Sequence, residues 1–174
     1  MHSAPAIPTV ADMKSIPAGN VRDVYEKADM VMDVTEFTMA YNLPFNVSHT
    51  PGNLDFAKLL ELRQKLLDEE YKETNTASAA ILSALLQNPN YEPTPEEQAE
   101  LLDGLVDVVY IAIGTAISFG WDFNEAWRRV HRSNLSKLDA SGNPIYADGS
   151  DPDVPKGKIL KGPNYHKPDL LDLV

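Results

Sequence analysis

Glu100-Leu101-Leu102-Asp103-Gly104-Leu105-Val106-Asp107-Val108-Val109-Tyr110 is the stretch that decides how the chain must fold. Asp107 stands inside an apolar run that continues to Ile113. A carboxylate there loses its water on burial and is costly unless something pairs with it. Glu100, Asp103 and Asp107 are spaced i, i+3, i+7, which puts all three on one helical face. Like charges so placed repel unless a cation sits among them. An earlier stretch, Leu66-Leu67-Asp68-Glu69-Glu70-Tyr71-Lys72-Glu73, repeats the arrangement with Glu70 and Glu73. Two helices that each offer inward carboxylates describe an oxygen-only site for a hard divalent cation, of which Mg2+ fits best.

The remaining pattern is helical throughout. Apolar residues recur at helical spacing from Val21 to about Tyr41, with an expected break near Asp33 and Val34. Asn42 to Asn53 carries Pro44, Pro51 and Gly52 and reads as a loop. Asn53 is the expected cap of a helix whose apolar face runs from Leu54 to Leu85. Thr74, Asn75 and Thr76 are weak helix formers in a row, so a break is expected there. Thr94-Pro95-Glu96-Glu97 has the composition of a capping box with proline in the first turn. That helix should run to Phe119 and stop at Gly120. Asp122-Phe123-Asn124-Glu125 opens a last helix to about Leu138 in the same way. The expected architecture is all-α: a four-helix bundle-type core with an irregular C-terminal tail, dimeric. An N-terminal arm (1–18) precedes a helical domain (19–138), and a tail (139–174) wraps it, with one helical turn starting at Pro168. The two acid-bearing helices should be antiparallel neighbours, the usual setting for carboxylate metal sites.

Composition excludes several functions. The formal charge of −11 argues against a nucleic-acid binder with a basic surface. With no cysteine there is no disulfide, thiolate metal site or cysteine nucleophile. The apolar stretch Val108–Phe119 is short for a bilayer and interrupted by polar and glycine residues, so it reads as a buried core helix. No secretory signal is evident at Met1–Val10, and a cytoplasmic protein is expected. No catalytic triad, HExxH or dinucleotide fingerprint occurs.

Each acidic run can be read simply as a solvated helix face. For Asp107 the ordinary structural role is an ion pair with Arg128, Arg129 or Arg132. His131-Arg132-Ser133-Asn134-Leu135-Ser136-Lys137 mixes cations and amide donors at a helix end. These residues either satisfy the helix dipole or hold phosphate oxygens. Lys156, Lys158 and Lys161, in a glycine-rich run that lacks P-loop spacing, add cations nearby in sequence. Trp121 and Trp127 read as core or interface residues.

Glu69-Glu70-x-x-Glu73 followed by the acidic helix ending Asp107-Val108-Val109-Tyr110 resembles the MazG-like all-α nucleoside triphosphate pyrophosphohydrolases. So do Gly114-Thr115-Ala116, Val130 to Lys137 and Leu160-Lys161-Gly162-Pro163-Asn164-Tyr165. The dUTPase-like and phosphoribosyl-ATP pyrophosphohydrolase-like branches are the nearest, over roughly residues 30 to 168. The resemblance implies Mg2+-dependent cleavage (Mn2+ substituting) of a (deoxy)nucleoside triphosphate to the monophosphate and pyrophosphate, by a homodimer or dimer of dimers. It places metal ligands at Glu70 and Glu73, with Glu69 beside them as a further ligand or as the group that orients water. Glu69 or Glu70 would take the proton of the attacking water. Arg132, Asn134 and Lys137 would hold the phosphates, and the tail with Lys161 and Tyr165 would close as a lid.

The second acidic motif departs from the family's ExxD. Gly104, not Glu, stands three residues before Asp107. Either Asp103 and Asp107 supply the ligands, or Glu100 and Asp103 do and Asp107 supports them. The competing readings are a specialised pyrophosphatase, such as one acting on phosphoribosyl-ATP, and a metal-stabilised dimerisation module without activity.

Overall fold

The computed structural model describes residues 29–174. The expected arm and the segment from Val21 to Ala28 lie outside the described residues. Four helices follow in order: α1 (Met30–Ala40), α2 (Asp55–Gln87), α3 (Pro95–Phe119) and α4 (Phe123–Leu135), then a single 3-10 turn at Leu171–Leu173. Among the described residues the only extended pairing is an isolated antiparallel bridge between Tyr146 and Ile159.

Helix α1 starts where the Asp29 carboxylate accepts the Met32 N–H, and it runs through Asp33 and Val34 without the expected break. The reason is packing: Val34 is only 2% exposed and sits with Ile113 and Ile117 in the core. Thr38 stays in the helix by donating its hydroxyl to the Val34 carbonyl. Asn53 accepts the Asp55 N–H with its side chain at 2.8 Å, so it serves the start of α2 from one position before the formal cap.

Helix α2 is one helix of 33 residues, and the break expected at Thr74–Thr76 is absent. The two threonine hydroxyls donate to the carbonyls one turn back, Thr74 to Glu70 and Thr76 to Lys72, each at 2.8 Å. These bonds keep the polar groups inside the helix. The packed stripe also passes through this point: Phe56, Leu59, Arg63, Leu66, Glu70, Thr74, Ala77, Ile81 and Ala84 are the covered positions. Steps of three and four make this a continuous seam.

That seam faces α3, which packs on α2 more than on any other element. The helices run antiparallel, since Thr74 meets Gly104 whereas Arg63 meets Gly114. Both glycines are spacers: a Cβ at Gly104 would lie 2.6 Å from Thr74 Oγ1 and 3.2 Å from Thr74 Cα. At α3's start the full capping box forms, with the Thr94 hydroxyl accepting the Glu97 N–H and the Glu97 carboxylate accepting the Thr94 N–H. At its end Gly120 adopts φ 75°, the left-handed conformation that suits glycine. The loop after α1 covers the same end, Val47 N–H donating to the Ser118 carbonyl at 2.8 Å.

Helix α4 opens with Asp122 accepting the Glu125 N–H. The expected capping box is only half made, because arginines engage the Glu125 carboxylate instead. The helix stops at Leu135, three residues before the expected end. Replacing Gly104 with alanine is expected to lower stability despite its better helix propensity. Forcing α2 and α3 apart costs about 1–3 kcal/mol, against a propensity gain of about 1 kcal/mol. A thermal melt checks this, and an unchanged or raised Tm would mean that the seam is not this tight.

Candidate active site

Glu70 occupies a seam position between Leu66 and Thr74, so its carboxyl is half-buried where α2 meets α3. Burial raises its pKa above the ordinary carboxylate value, and the charges of Asp107, Glu73, Glu69 and Asp103 push it further in the same direction. Four of the other five acids expected in the site, drawn from both helices, therefore act on this one side chain. Glu100 is exposed and absent from the charges that act on Glu70. The register thus puts Asp103 and Asp107, rather than Glu100 and Asp103, across from Glu70.

Asp107 is half-buried. The ion pair that would give it a purely structural role is not made among the described residues. Arg128 and Arg132 bond Glu125, and Arg129 bonds Glu125 and Asp172. Gly104 accounts for the departure from ExxD. Position 104 points into the seam against Thr74, where no side chain fits, so the acids fall on the flanking face at 103 and 107. Every donor in the group is a carboxylate oxygen, the chemistry that suits Mg2+. No three of the described His, Asp or Glu residues close on a common point tightly enough to hold an ion.

Arg63 belongs to no sequence motif, yet it lies in the same seam two turns from Glu70. It donates to Thr115 Oγ1 at 3.0 Å and to the Ile111 carbonyl at 2.7 Å. Burial lowers its pKa, and it makes no ion pair among the described residues. The signal was its spacing: position 63 continues the apolar stripe from Leu59 to Leu66.

The second constellation assembles from two segments. Gly162 N–H donates to the Lys137 carbonyl at 2.8 Å, which sets Lys161 and Tyr165 beside the end of α4. Lys161 Nζ lies 4.5 Å from the centre of the Tyr165 ring, and Lys137 donates to the Asn134 side chain at 2.8 Å. Arg132 is directed to Glu125 instead. No hydrogen bond or ion pair joins this cluster to the acidic group among the described residues. The expected lid is not free: the tail is bonded along α4.

Residues 43–134 match the phosphoribosyl-ATP pyrophosphohydrolase family, more than half of the 174 residues. The chain belongs to that family. It is accordingly a pyrophosphohydrolase of the MazG-like all-α class. A crystal structure from Exiguobacterium sp. 255-15, provisionally described as an NTP pyrophosphohydrolase, is 18% identical. The match covers 82% of this chain and 90% of that one, with a TM-score of 0.35. No curated protein matches the sequence.

The raised Glu70 carboxyl sets a sign for stability in this pyrophosphohydrolase. The folded protein holds that proton more tightly than the unfolded chain, so stability is lost as pH rises through the folded value. Glu70→Gln is therefore expected to raise the Tm of the metal-free protein at neutral pH. The gain should fade in acid, where the carboxyl is protonated in both states. An unchanged or lower Tm at neutral pH would show that the acids do not converge as described.

Proposed function

We propose that the protein hydrolyses a (deoxy)nucleoside triphosphate to the monophosphate and pyrophosphate with Mg2+ bound at Glu70, Glu73, Asp103 and Asp107. The observation that supports this reading is that Glu70, in the α2–α3 seam, feels the charges of acids from both helices, none of them ion-paired to a basic side chain among the described residues. A bound Mg2+ would supply charge neutralisation at the phosphoryl oxygens and a more acidic water. In this reading Glu69, exposed beside the seam, would orient that water, and Glu69 or Glu70 would accept its proton. Arg132, Asn134, Lys137, Lys161 and Tyr165 offer donors for phosphate oxygens and fix the chain of phosphates in line. No covalent intermediate on the protein is required. We assign the catalytic unit to residues 19–138, with 139–174 as an accessory tail, in a cytoplasmic protein.

The working form in this reading is a homodimer. Helix α3 is long and apolar enough to cross a membrane by length and composition, yet only 28% of its most apolar window is buried in one chain. Leu102 is 62% exposed and Val106 52%, and α2 exposes Leu62, Tyr71, Leu82 and Leu86. A surface of this kind needs a protein partner. A second copy suits it better than lipid because Asp103 and Asp107 lie within the same helix. A specialised substrate, phosphoribosyl-ATP, is the second reading, favoured by the family matched over residues 43–134.

Pyrophosphate release from a panel of NTPs, dNTPs and phosphoribosyl-ATP with Mg2+ tests the proposal. One or a few of them should be turned over, and Glu70→Gln and Asp107→Asn should each lower kcat ~100-fold or more, the scale of a lost catalytic carboxylate. Release that persists in both folded variants, or in excess chelator, would contradict it.

A further inference from the structure

The polar face of α4 is spoken for by the tail. Taken in order, Asp122, Glu125, Arg129, Ser133 and Ser136 recur every three or four residues and lie on one side of the helix. The tail runs antiparallel along this side. Gly162 N–H meets the Lys137 carbonyl. The Ser133 hydroxyl donates to the His166 carbonyl at 2.7 Å, and the His166 N–H donates to Ser136 Oγ at 3.2 Å. Arg129 Nη1 donates to the Asp169 carbonyl at 2.9 Å. At the end of the chain the Asp122 N–H reaches the Leu173 carbonyl.

Arg129 is the centre of this arrangement. Its Nε bonds Glu125 at 3.0 Å, and Nη1 and Nη2 take both oxygens of Asp172, the latter at 2.8 Å. A half-buried guanidinium fixed from below by Glu125 presents a rigid fork to a carboxylate, the geometry in which arginine pairs best. Among the described residues the other hydrogen bonds between α4 and the tail are neutral ones. At the far end Gly162 sits so close to Lys137 and Leu138 that a Cβ would collide with both carbonyls. The backbone at Gly162 thus fits tightly against the Lys137 carbonyl, which puts Lys161, whose Nζ lies over the Tyr165 ring, next to the end of α4 while the tail stays down.

We propose that Arg129 and Asp172 form a clip that holds the C-terminal tail as a fixed strap along α4, and that the clip positions Lys161 beside Lys137 to receive the phosphates of the substrate. The second half of this inference rests on the function proposed above. Arg129 is a positioning residue. It touches no reacting atom and acts through the tail.

The test uses the full-length chain and three proteins: the parent, Asp172→Asn and the conservative Asp172→Glu. Asp172 is exposed, so its replacement leaves the core intact, which an unchanged circular dichroism spectrum confirms. Two quantities are read: the rate of tryptic cleavage at Lys161–Gly162, and KM and kcat for the nucleotide that the parent hydrolyses. Asp172→Asn should speed cleavage and raise KM ~5-fold or more with kcat within ~2-fold, the pattern of lost uniform binding. Asp172→Glu should restore both toward the parent. Unchanged cleavage would overturn the clip. Faster cleavage with an unchanged KM would overturn the positioning role. If the parent hydrolyses none of the nucleotides, the positioning role falls with that functional reading, and the cleavage rates still decide the clip.

Discussion

The close antiparallel approach of α2 and α3 is the constraint on which the rest of the structure depends. It is possible because Gly104 and Gly114 leave room, the first for Thr74 and the second for the Arg63 guanidinium. Close approach brings Glu70 into the seam, within reach of the charges of Asp103 and Asp107. A looser pair of helices would let each carboxylate find water, and no reason for a cation would remain. Arg63 carries charge into the same seam but spends its hydrogen bonds on Thr115 and the Ile111 carbonyl. It stiffens the packing and makes no ion pair with these acids among the described residues.

This arrangement has a cost in burial. Few apolar side chains are fully covered in the lone chain, and Ile113, at 1% exposed, is the most deeply buried large one. Among the described residues Leu62, Tyr71, Leu82 and Leu86 of α2 and Leu102 and Val106 of α3 stay exposed. The proposed second copy answers this directly, since association would remove that surface from water at roughly 25 cal/mol per Å2. The tail does a different job. It covers the polar side of α4 through hydrogen bonds and one bidentate ion pair.

What the sequence disclosed follows from range. Signals that act within a turn were legible: the Thr94–Glu97 box, Gly120 and the Asp122 cap all form as their residue types require. The loop at Asn42–Asn53 was legible for the same reason. The break expected at Thr74–Thr76 failed because helix propensity is a weak prior, outweighed by packing against α3 and by threonine hydroxyls bonded to carbonyls one turn back. Gly104 looked like a defect in the acidic motif. It is a spacer, a fact visible only once its neighbour is known to be Thr74. That acids of the two helices lie near one another could be inferred, because a carboxylate is costly in the apolar run around Asp107 and the earlier helix repeats the acidic pattern. The Arg129–Asp172 pair could not, since 43 residues separate the partners and many carboxylates compete in so acidic a chain.

Calorimetric titration of Mg2+ and Mn2+ into the nucleotide-free protein tests the central claim most directly, with Asp107→Asn and Glu100→Gln as comparison proteins. The parent and Glu100→Gln should bind the cation alike, with protons released on binding at mildly acidic pH as Glu70 ionises. Asp107→Asn should bind it much more weakly. Equal binding by the parent and Asp107→Asn, or loss in Glu100→Gln alone, would contradict the placement of the site across the α2–α3 seam.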